Sequence, residues 1–242
     1  MESWLDSGIT VATWNVEWAA AGTRRGDRVA GILASVGDVL VVTECTLDVL
    51  PPGHVVTGGS DWGYRVDDAS RRKVALWSRW PWVDVDDVGH PDLPPGRFVA
   101  ATTAASIGEL RIVGVCIPWA GAHVSSGRRD RRQWEDHELF LQALPEVLAE
   151  QPGPLVVAGD FNQRLPRRRQ PERVHQLMID ALGDLQVVTA GETDVGFLID
   201  HIAVGDGLAT GAPTIIPSRD AVGQLSDHHG VGSVVQTDRP LR

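Results

Sequence analysis

Polar side chains that can bind a metal ion or a phosphate group follow the apolar runs of this 242-residue chain. Asn15 ends the run ITVATWN, Glu44 ends VLVVTE, and Asp160 and Asn162 follow PLVVAG. A carboxylate at the end of a buried strand is costly unless a cation or a hydrogen-bond donor compensates its charge. If folding brings these strand ends together, their oxygen atoms form a site for a hard divalent cation, of which Mg²⁺ is the expected one.

Two further segments place histidines beside carboxylates. LIDHI contains Asp200 and His201, and LSDHHG contains Asp227, His228 and His229. A histidine exchanges protons near neutral pH, and a neighbouring carboxylate orients its ring. Because the side chains of a strand alternate between its two faces, only one of Asp200 and His201 faces the site. We select Asp200 and interpret His201 as structural, whereas the choice between His228 and His229 stays open on the residues alone.

Short β-type runs separated by turn residues make up most of the chain, with a few helical stretches between them. Eight runs predict strands, at 9–14, 39–44, 73–78, 97–105, 110–117, 154–159, 197–205 and 231–236. Apolar periodicity predicts helices at 27–37, at about 129–143 and at 171–182. This alternation indicates an α/β fold with more than one sheet. We find no internal repeat and no linker, so a single domain over residues 1–242 is the simplest interpretation.

The composition excludes several classes of protein. With 43% hydrophobic and 22% charged residues, the chain can bury a core, which excludes intrinsic disorder. Its formal net charge of -10 gives no general attraction to polyanions, so a nucleic acid must be held by a local patch or by bound metal. No run approaches the roughly 18 apolar residues of a membrane span. The first residues lack a signal-peptide pattern, which predicts a cytoplasmic location, and the sequence implies no protein partner.

Six short motifs occur in a fixed order over residues 13–229: TWNVEW, TE, LWSRWP, AGDFN, IDHI and SDHH. Each motif alone is weak evidence, but together, each in its strand context, they form a specific signature. With these motifs the chain resembles the endonuclease/exonuclease/phosphatase superfamily, which has the deoxyribonuclease-I-like fold. The resemblance implies a four-layer α-β-β-α sandwich, in which two mixed sheets pack face to face between helices. It also implies hydrolysis of phosphoester bonds with one or two Mg²⁺ or Mn²⁺ ions.

The resemblance also implies a metal and phosphate site. Glu44 is expected to be the principal metal ligand, and Asn15 should contact the metal or a phosphate oxygen. Asp227 is expected near the metal. Asp160 would orient the attacking water or bind the metal, and Asn162 would hold the phosphate.

A histidine and a carboxylate complete the implied machinery. The order of the motifs favours His228 over His229 as the residue that acts as a general base or stabilises the transition state. Asp200 would accept the proton on the far ring nitrogen of His228 and fix its tautomer. The chemistry agrees with these roles, because phosphodiester hydrolysis accumulates negative charge on the non-bridging oxygens, which a metal ion and an imidazolium can stabilise.

The chain departs from the family pattern at Cys116. In relatives a tyrosine or a histidine lies in the strand that corresponds to LRIVGVCIPW. A cysteine cannot replace a phenol or an imidazole as a phosphate contact, so this role is absent or is filled by His123 or by an arginine. Apart from this, both Cys45 and Cys116 are interpreted as small buried hydrophobes.

Two arginine clusters offset the acidic net charge locally. The first, RRDRR at 128–132, is interpreted as a solvated helix face. The second, RLPRRRQPER at 164–173, directly follows GDFN. Because guanidinium groups match phosphate oxygens in bidentate geometry, Arg164, Arg167 and Arg168 are expected to bind substrate beside the site. Asn162 and Trp119 are expected to contact the substrate with them.

Three classes of function remain open. The leading one is a metal-dependent phosphodiesterase that acts on nucleic acid, supported by the arginines after GDFN and by nine tryptophans that could stack on bases. The second is a phosphatase or phospholipase-type enzyme that acts on a phosphorylated small molecule or a lipid head group, which the acidic net charge favours. The third is a non-catalytic phosphate-binding module, which Cys116 allows but the intact Glu44, Asp160 and His228 argue against.

Overall fold

A computed structural model describes residues 8–237 of the chain. In the first half of the chain the strands are β1 (Ile9–Asn15), β2 (Val39–Thr46), β3 (His54–Thr57), β4 (Arg71–Ser78), β5 (Trp82–Asp86), β6 (Phe98–Ala105) and β7 (Gly108–Cys116). The second half contains β8 (Leu155–Asp160), β9 (Gln186–Val187), β10 (Glu192–Thr193), β11 (Gly196–Phe197), β12 (Asp200–Val204), β13 (Leu208–Thr210), β14 (Thr214–Ile216) and β15 (Gly230–Thr237). The helices are α1 (Arg24–Leu33), α2 (Glu135–Ala149) and α3 (Glu172–Leu182), with a short 3₁₀ helix at Leu47–Val49. Within residues 8–237, every helix is too short or too polar to cross a bilayer.

The strands form two mixed sheets and a small separate ribbon. The first sheet has the order β13-β15-β1-β2-β4-β3, with β14 also paired to β15, and the second has the order β5-β6-β7-β8-β12-β9. Strands β1 and β2 run parallel, as do β7 and β8, and the other pairs within these sheets are antiparallel. Helix α1 connects the first parallel pair and α2 connects the second, as parallel strands require. The carboxyl ends of each parallel pair therefore lie side by side.

Three apolar clusters define four layers. Val41 of the first sheet and Ile112 of the second share the core between the sheets. Leu33 of α1 belongs to the cluster on the outer face of the first sheet, and Phe140 of α2 and Met178 of α3 belong to the cluster on the outer face of the second. The central strands are apolar throughout because both of their faces are buried. The predicted four-layer α-β-β-α sandwich is confirmed.

All eight predicted strands are present, with small differences at their ends. The predicted strand 197–205 is divided, because β11 pairs with β10 in the separate ribbon whereas β12 belongs to the second sheet. The sequence analysis missed β3, β5, β9, β10, β13 and β14. Five of these six have four residues or fewer, too few for an alternating pattern to be recognised.

The helix boundaries differ more. Thr23 caps α1 through its hydroxyl group, so the helix begins three residues before the predicted start. It ends well before Gly37, which was predicted as its last residue. Helix α2 begins later than predicted, because Arg129 and Trp134 have φ angles of 59° and 74°, which an α-helix cannot contain. Pro145 lies inside α2, where it removes one backbone donor. The prediction for α3 is confirmed to within one residue.

Candidate active site

The carboxyl ends of the two parallel strand pairs meet at one end of the sandwich, where they enclose a cavity of about 230 Å³. Seven residues selected from the sequence line this catalytic cavity: Asn15, Glu44, Trp119, Asp160, Asn162, Asp227 and His228. Lys73, Arg97 and Cys116 complete its lining. Asp200 lies directly behind it, in contact with His228. Folding thus brings together residues that are up to 213 positions apart in the sequence, from Asn15 to His228.

Asp160 ends β8 and is almost fully buried. Its Oδ2 atom accepts hydrogen bonds from the side-chain amides of Asn15 (3.1 Å) and Asn162 (2.9 Å). Its Oδ1 atom accepts one from the backbone N–H of Asn162 at 2.9 Å. Burial raises the pKa of Asp160 to about 7, with the charge on His228 opposing the rise and that on Asp200 adding to it. Asp160 is therefore held in place by three hydrogen bonds, in a buried position that disfavours its charged form.

His228 pairs with Asp200, whose Oδ1 atom lies 3.3 Å from His228 Nδ1. The other oxygen of Asp200 accepts the backbone N–H of Asn15 at 3.1 Å. Ser226 Oγ accepts the backbone N–H of His228 at 3.1 Å and donates to the Asn15 carbonyl oxygen at 2.6 Å. Burial alone would lower the pKa of His228, but Asp200 and the other carboxylates outweigh it and raise the pKa to about 10. Nε2 remains on the opposite side of the ring, 3.8 Å from Asp227 Oδ1.

Glu44 occupies a strained position in β2. Its φ angle of 47° lies in the left-handed region, which costs free energy for a residue with a side chain. The regular pairing between β2 and β4 is interrupted at this residue. The carboxylate lines the catalytic cavity and forms an ion pair with Lys73 Nζ. Strained residues of this kind cluster at functional sites, which supports the selection of Glu44.

Two cations in the cavity were missed by the sequence analysis. Lys73 is the single lysine among 22 lysines and arginines, and this rarity was a signal that could have identified it. Arg97 directly precedes β6 and is only 2% exposed. Its Nη1 atom donates to the Cys116 carbonyl oxygen at 3.2 Å, whereas its Nη2 atom has no hydrogen-bond partner within residues 8–237. A buried guanidinium with a free donor beside a cavity is positioned to bind an anion.

His123 and an arginine are the two candidates for the phosphate contact that relatives make with a tyrosine or a histidine and that Cys116 cannot make. His123 does not line the catalytic cavity, since its ring contacts the Trp62 carbonyl oxygen at 3.2 Å and accepts the backbone N–H of Arg128 at 3.1 Å. Cys116 does line it, but burial raises the pKa of its thiol to about 12, so the thiol stays neutral. Arg97 Nη1 lies 3.9 Å from Cys116 Sγ. An arginine therefore lies beside the position at which the chain departs from the family.

The arginines that follow GDFN are placed elsewhere. Arg164, Arg167 and Arg168 are exposed and do not line the catalytic cavity. The guanidinium of Arg168 lies 3.7 Å from the centre of the Phe197 ring, in β11. Arg167 Nη1 donates to the carbonyl oxygen of Gln170 at 3.3 Å. These arginines therefore do not contribute to the lining of the cavity, and their expected contact with substrate stays a prediction.

Two buried histidines hold the loop that carries Asn162. Gln163 Nε2 donates to His137 Nε2 at 2.8 Å, and the Gln163 carbonyl oxygen accepts from His201 Nε2 at 3.0 Å. His137 Nδ1 donates to the carbonyl oxygen of Pro118 at 2.6 Å. Burial lowers the pKa of both His137 and His201 to about 4, so both rings are neutral at pH 7. His201 thus has the structural position expected for it.

The side chains of the cavity fit a hard divalent cation. Ligand atoms of Asp160, Asp200 and His228 lie within 4.8 Å of one another, and Glu44 and Asp227 line the same space. Burial is the main reason why the pKa of Asp160 is raised, and the charges of Asp200 and Glu44 add to the rise. A cation bound among these oxygen atoms would favour their charged forms. The donor set is mostly oxygen, which suits Mg²⁺ or Mn²⁺.

Comparison with known proteins identifies the class to which this fold and site belong. The model of the endonuclease/exonuclease/phosphatase family matches residues 12–228. The chain belongs to this family, whose members are hydrolases that act on phosphoester bonds. The comparison with curated proteins gave no match.

Solved structures share the fold. The 3′-5′ exonuclease NExo from Neisseria meningitidis is 23% identical over 95% of this chain and 100% of its own, with a TM-score of 0.67. The 3′ phosphatase NExo from Neisseria, solved with a bound product DNA hairpin, is 22% identical in sequence. The match covers 96% of this chain and 100% of that one, with a TM-score of 0.68. A beta toxin from Staphylococcus aureus with bound magnesium ions is 12% identical in sequence. The match covers 93% of this chain and 99% of that one, with a TM-score of 0.60.

Proposed function

We propose that this protein is a divalent-metal-dependent phosphodiesterase that cleaves nucleic acid. The observation that carries the proposal is the convergence of Glu44, Asp160 and the His228–Asp200 pair on one buried cavity. A structural role alone does not explain three carboxylates and a histidine gathered from separate strands. Burying several carboxylates together is costly unless cations compensate their charge.

We assign the metal to the acidic side of the cavity. Glu44 would be the principal ligand, and Asn15 and Asp227, which line the same cavity, would complete the set with water molecules. The bound Mg²⁺ or Mn²⁺ would polarise a phosphoryl oxygen and increase the acidity of water. Glu44, which is paired with Lys73 in the structure, would bind the metal through its carboxylate oxygens.

Asp160 and His228 perform the proton chemistry in this proposal. Asp160 accepts a proton from the water whose oxygen attacks phosphorus, while Asn15 and Asn162 hold its carboxylate in place. The P–O ester bond then breaks, the leaving oxygen takes a proton from a solvent water, and Asp160 releases its proton to solvent. Because Asp200 fixes Nδ1, His228 presents Nε2 to a phosphoryl oxygen and stabilises the negative charge that develops there.

Arg97 replaces the phosphate contact that Cys116 cannot make. Its guanidinium is buried and lines the cavity, and its Nη2 atom has no partner within residues 8–237, so a charge-assisted hydrogen bond to phosphate would be strong. Lys73 adds a second positive charge on the same cavity. The arginines at 164–168, which the sequence analysis favoured, have no part in this assignment.

A phosphomonoesterase is the second candidate. A terminal phosphate carries about two negative charges near neutral pH, which the two buried cations Lys73 and Arg97 would match. The fold shared with NExo, named as both a 3′-5′ exonuclease and a 3′ phosphatase, agrees with either activity on nucleic acid.

A panel of substrates tests the proposal. Supercoiled plasmid, a single-stranded oligonucleotide, the same oligonucleotide with a 3′ phosphate, and bis-p-nitrophenyl phosphate are incubated with Mg²⁺ or with a chelator. We expect Mg²⁺-dependent cleavage of a polymer that is lost in Asp160→Asn and retained in Asp184→Asn, a change at an exposed aspartate outside the cavity. Cleavage of the small ester alone would refute the nuclease proposal, and release of phosphate alone would favour the phosphomonoesterase.

A further inference from the structure

A second cavity lies beside the catalytic one and is lined largely by aromatic rings. It has a volume of about 240 Å³, and its walls include Trp18, Trp62, Tyr64 and Trp119. Lys73 and Trp119 line both cavities. A group bound in the aromatic cavity would therefore lie next to a phosphate bound in the catalytic one.

One wall of the aromatic cavity is rigid. The rings of Trp18 and Trp62 stack at 5.6 Å between centroids, with 17° between their planes. Arg71 and Lys73 each lie 5.1 Å from the centre of the Trp18 ring. The hydroxyl of Tyr64 accepts the backbone N–H of His123 at 3.1 Å. These contacts hold the aromatic side chains in place before any ligand arrives, which lowers the entropic cost of binding.

Trp119 differs from the rings of that wall. It follows β7, is 49% exposed, and has no ring-stacking partner in the part of the chain that the structure describes. It packs closely against Gly121, where an added Cβ atom would lie 2.4 Å from the Trp119 ring. The backbone thus positions a tryptophan that lies partly open to solvent at the junction of the two cavities. The exposed part of the ring offers an apolar surface on which a ligand can stack.

The charges around the cavity restrict the ligand. Arg71 and Lys73 already interact with the Trp18 ring, so a quaternary ammonium group, which aromatic cages often bind, would be repelled. A neutral planar ring carries no such penalty. The volume lies below the roughly 300–1,000 Å³ of sites for drug-sized ligands, which suits a single ring system and is too small for a stacked base pair.

We infer that the aromatic cavity binds one unpaired nucleobase, that of the nucleotide adjoining the phosphate held in the catalytic cavity. This inference rests on the proposed function and extends it by naming the substrate class, which is single-stranded nucleic acid or a frayed end. Stacking on aromatic side chains accepts any base, because every base has a π face. The protein therefore binds its substrate through one base beside the reacting phosphate, and pairing of that base opposes binding.

The test is a binding titration that needs no hydrolysis. A five-nucleotide single strand with 2-aminopurine at each position in turn is titrated with protein in Ca²⁺ instead of Mg²⁺. Stacking quenches 2-aminopurine fluorescence, so we expect strong quenching at one position of the strand. Trp119→Ala should abolish this quenching and weaken binding about tenfold. Trp82→Ala, at a half-buried tryptophan that lines neither cavity, should retain both.

A matched kinetic measurement uses the same strand with a base-free sugar at the quenched position. We expect the wild-type kcat/KM to be about tenfold lower for the base-free strand than for the intact strand. In Trp119→Ala the kcat/KM values of the two strands should be nearly equal. Gly121→Ala, which displaces the Trp119 ring without removing it, should give an intermediate ratio. Unquenched 2-aminopurine at every position, or the same quenching in Trp119→Ala, would overturn the inference even if the protein is an active nuclease. Absence of hydrolysis would count against the proposed function, and the quenching would still decide the inference.

Discussion

The role assigned to Arg97 gives a prediction with a definite magnitude. In Arg97→Met the apolar stem remains and the buried charge is removed. Arg97 is 2% exposed, its Nη1 atom donates to the Cys116 carbonyl oxygen, and its Nη2 atom has no hydrogen-bond partner within residues 8–237. Loss of one preorganised donor to a transition-state oxygen costs roughly 10²–10³ in kcat. We expect the lower end of this range, a loss of about 100-fold in kcat/KM, carried mainly by kcat.

The assay is steady-state hydrolysis of a single-stranded oligonucleotide at saturating Mg²⁺, with kcat and KM determined separately. Arg97→Lys keeps the charge without the planar fork and should lose about tenfold. Arg111→Met is the matched control, since Arg111 is also a buried arginine but donates to Gln151 and Thr102 outside the cavity. It should lower the melting temperature and leave kcat/KM unchanged. If folded Arg97→Met stays within about threefold of the wild type, the assignment is refuted.

Three further predictions concern other parts of the structure. Burial lowers the pKa of His137 to about 4, so its contribution to stability is complete above about pH 6.5 and is lost as the pH falls towards 4, because the unfolded imidazole then gains a proton first. Between pH 7 and pH 4.5, chemical denaturation should show that the free energy of unfolding falls by about 2–3 kcal/mol less in His137→Gln than in the wild type. Equal decreases in the two proteins would contradict this. Cys45 and Cys116 are buried with pKa values raised by desolvation to about 12, so a thiol reagent should modify neither in the native protein and both after unfolding, whereas rapid native labelling would contradict the fold. Asp200→Asn keeps the shape of the pair with His228 but removes its charge, and should lower kcat about 100-fold with little change in KM; an unchanged kcat would exclude Asp200 from the reaction.

The layers of the fold could be predicted because the central strands are apolar on both faces and the family motifs occur in order. Helix ends were less predictable, since they depend on single backbone conformations. Nothing in the pattern of RRDRR indicates that Arg129 has a positive φ angle and that α2 begins only after Trp134. Nor does apolar periodicity reveal that Thr23 starts α1 three residues early.

In the candidate site, Glu44, Asp160, Asp227 and His228 could be predicted because each ends or flanks a predicted strand, and Asp200 because it lies within one beside a histidine. Arg97 could not, since one arginine before a strand has no spacing that distinguishes it from the other arginines. Its importance comes from burial and from an unpartnered nitrogen, which are properties of packing. Arg168 follows GDFN closely in the sequence, yet it does not line the cavity. Its guanidinium packs on the Phe197 ring instead.

The cavity also reconciles an acidic protein with an anionic substrate. The formal net charge is -10, so long-range attraction to nucleic acid is absent at physiological ionic strength. Binding must therefore come from short-range contacts, which the structure offers through Lys73, Arg97 and the aromatic cavity. We expect binding to depend less on salt than that of nucleases with basic surfaces.

The most direct test of the central claim is the Mg²⁺ dependence of oligonucleotide hydrolysis in the wild type and in Glu44→Gln, measured from chelated buffer to saturation. The account predicts no hydrolysis in chelator, a saturable rise in the wild type, and in Glu44→Gln a curve displaced to higher Mg²⁺ with a rate about 100-fold lower at its plateau. Hydrolysis that proceeds equally in chelator, or one curve shared by both proteins, would contradict the assignment of the acidic cavity as a metal-dependent active site.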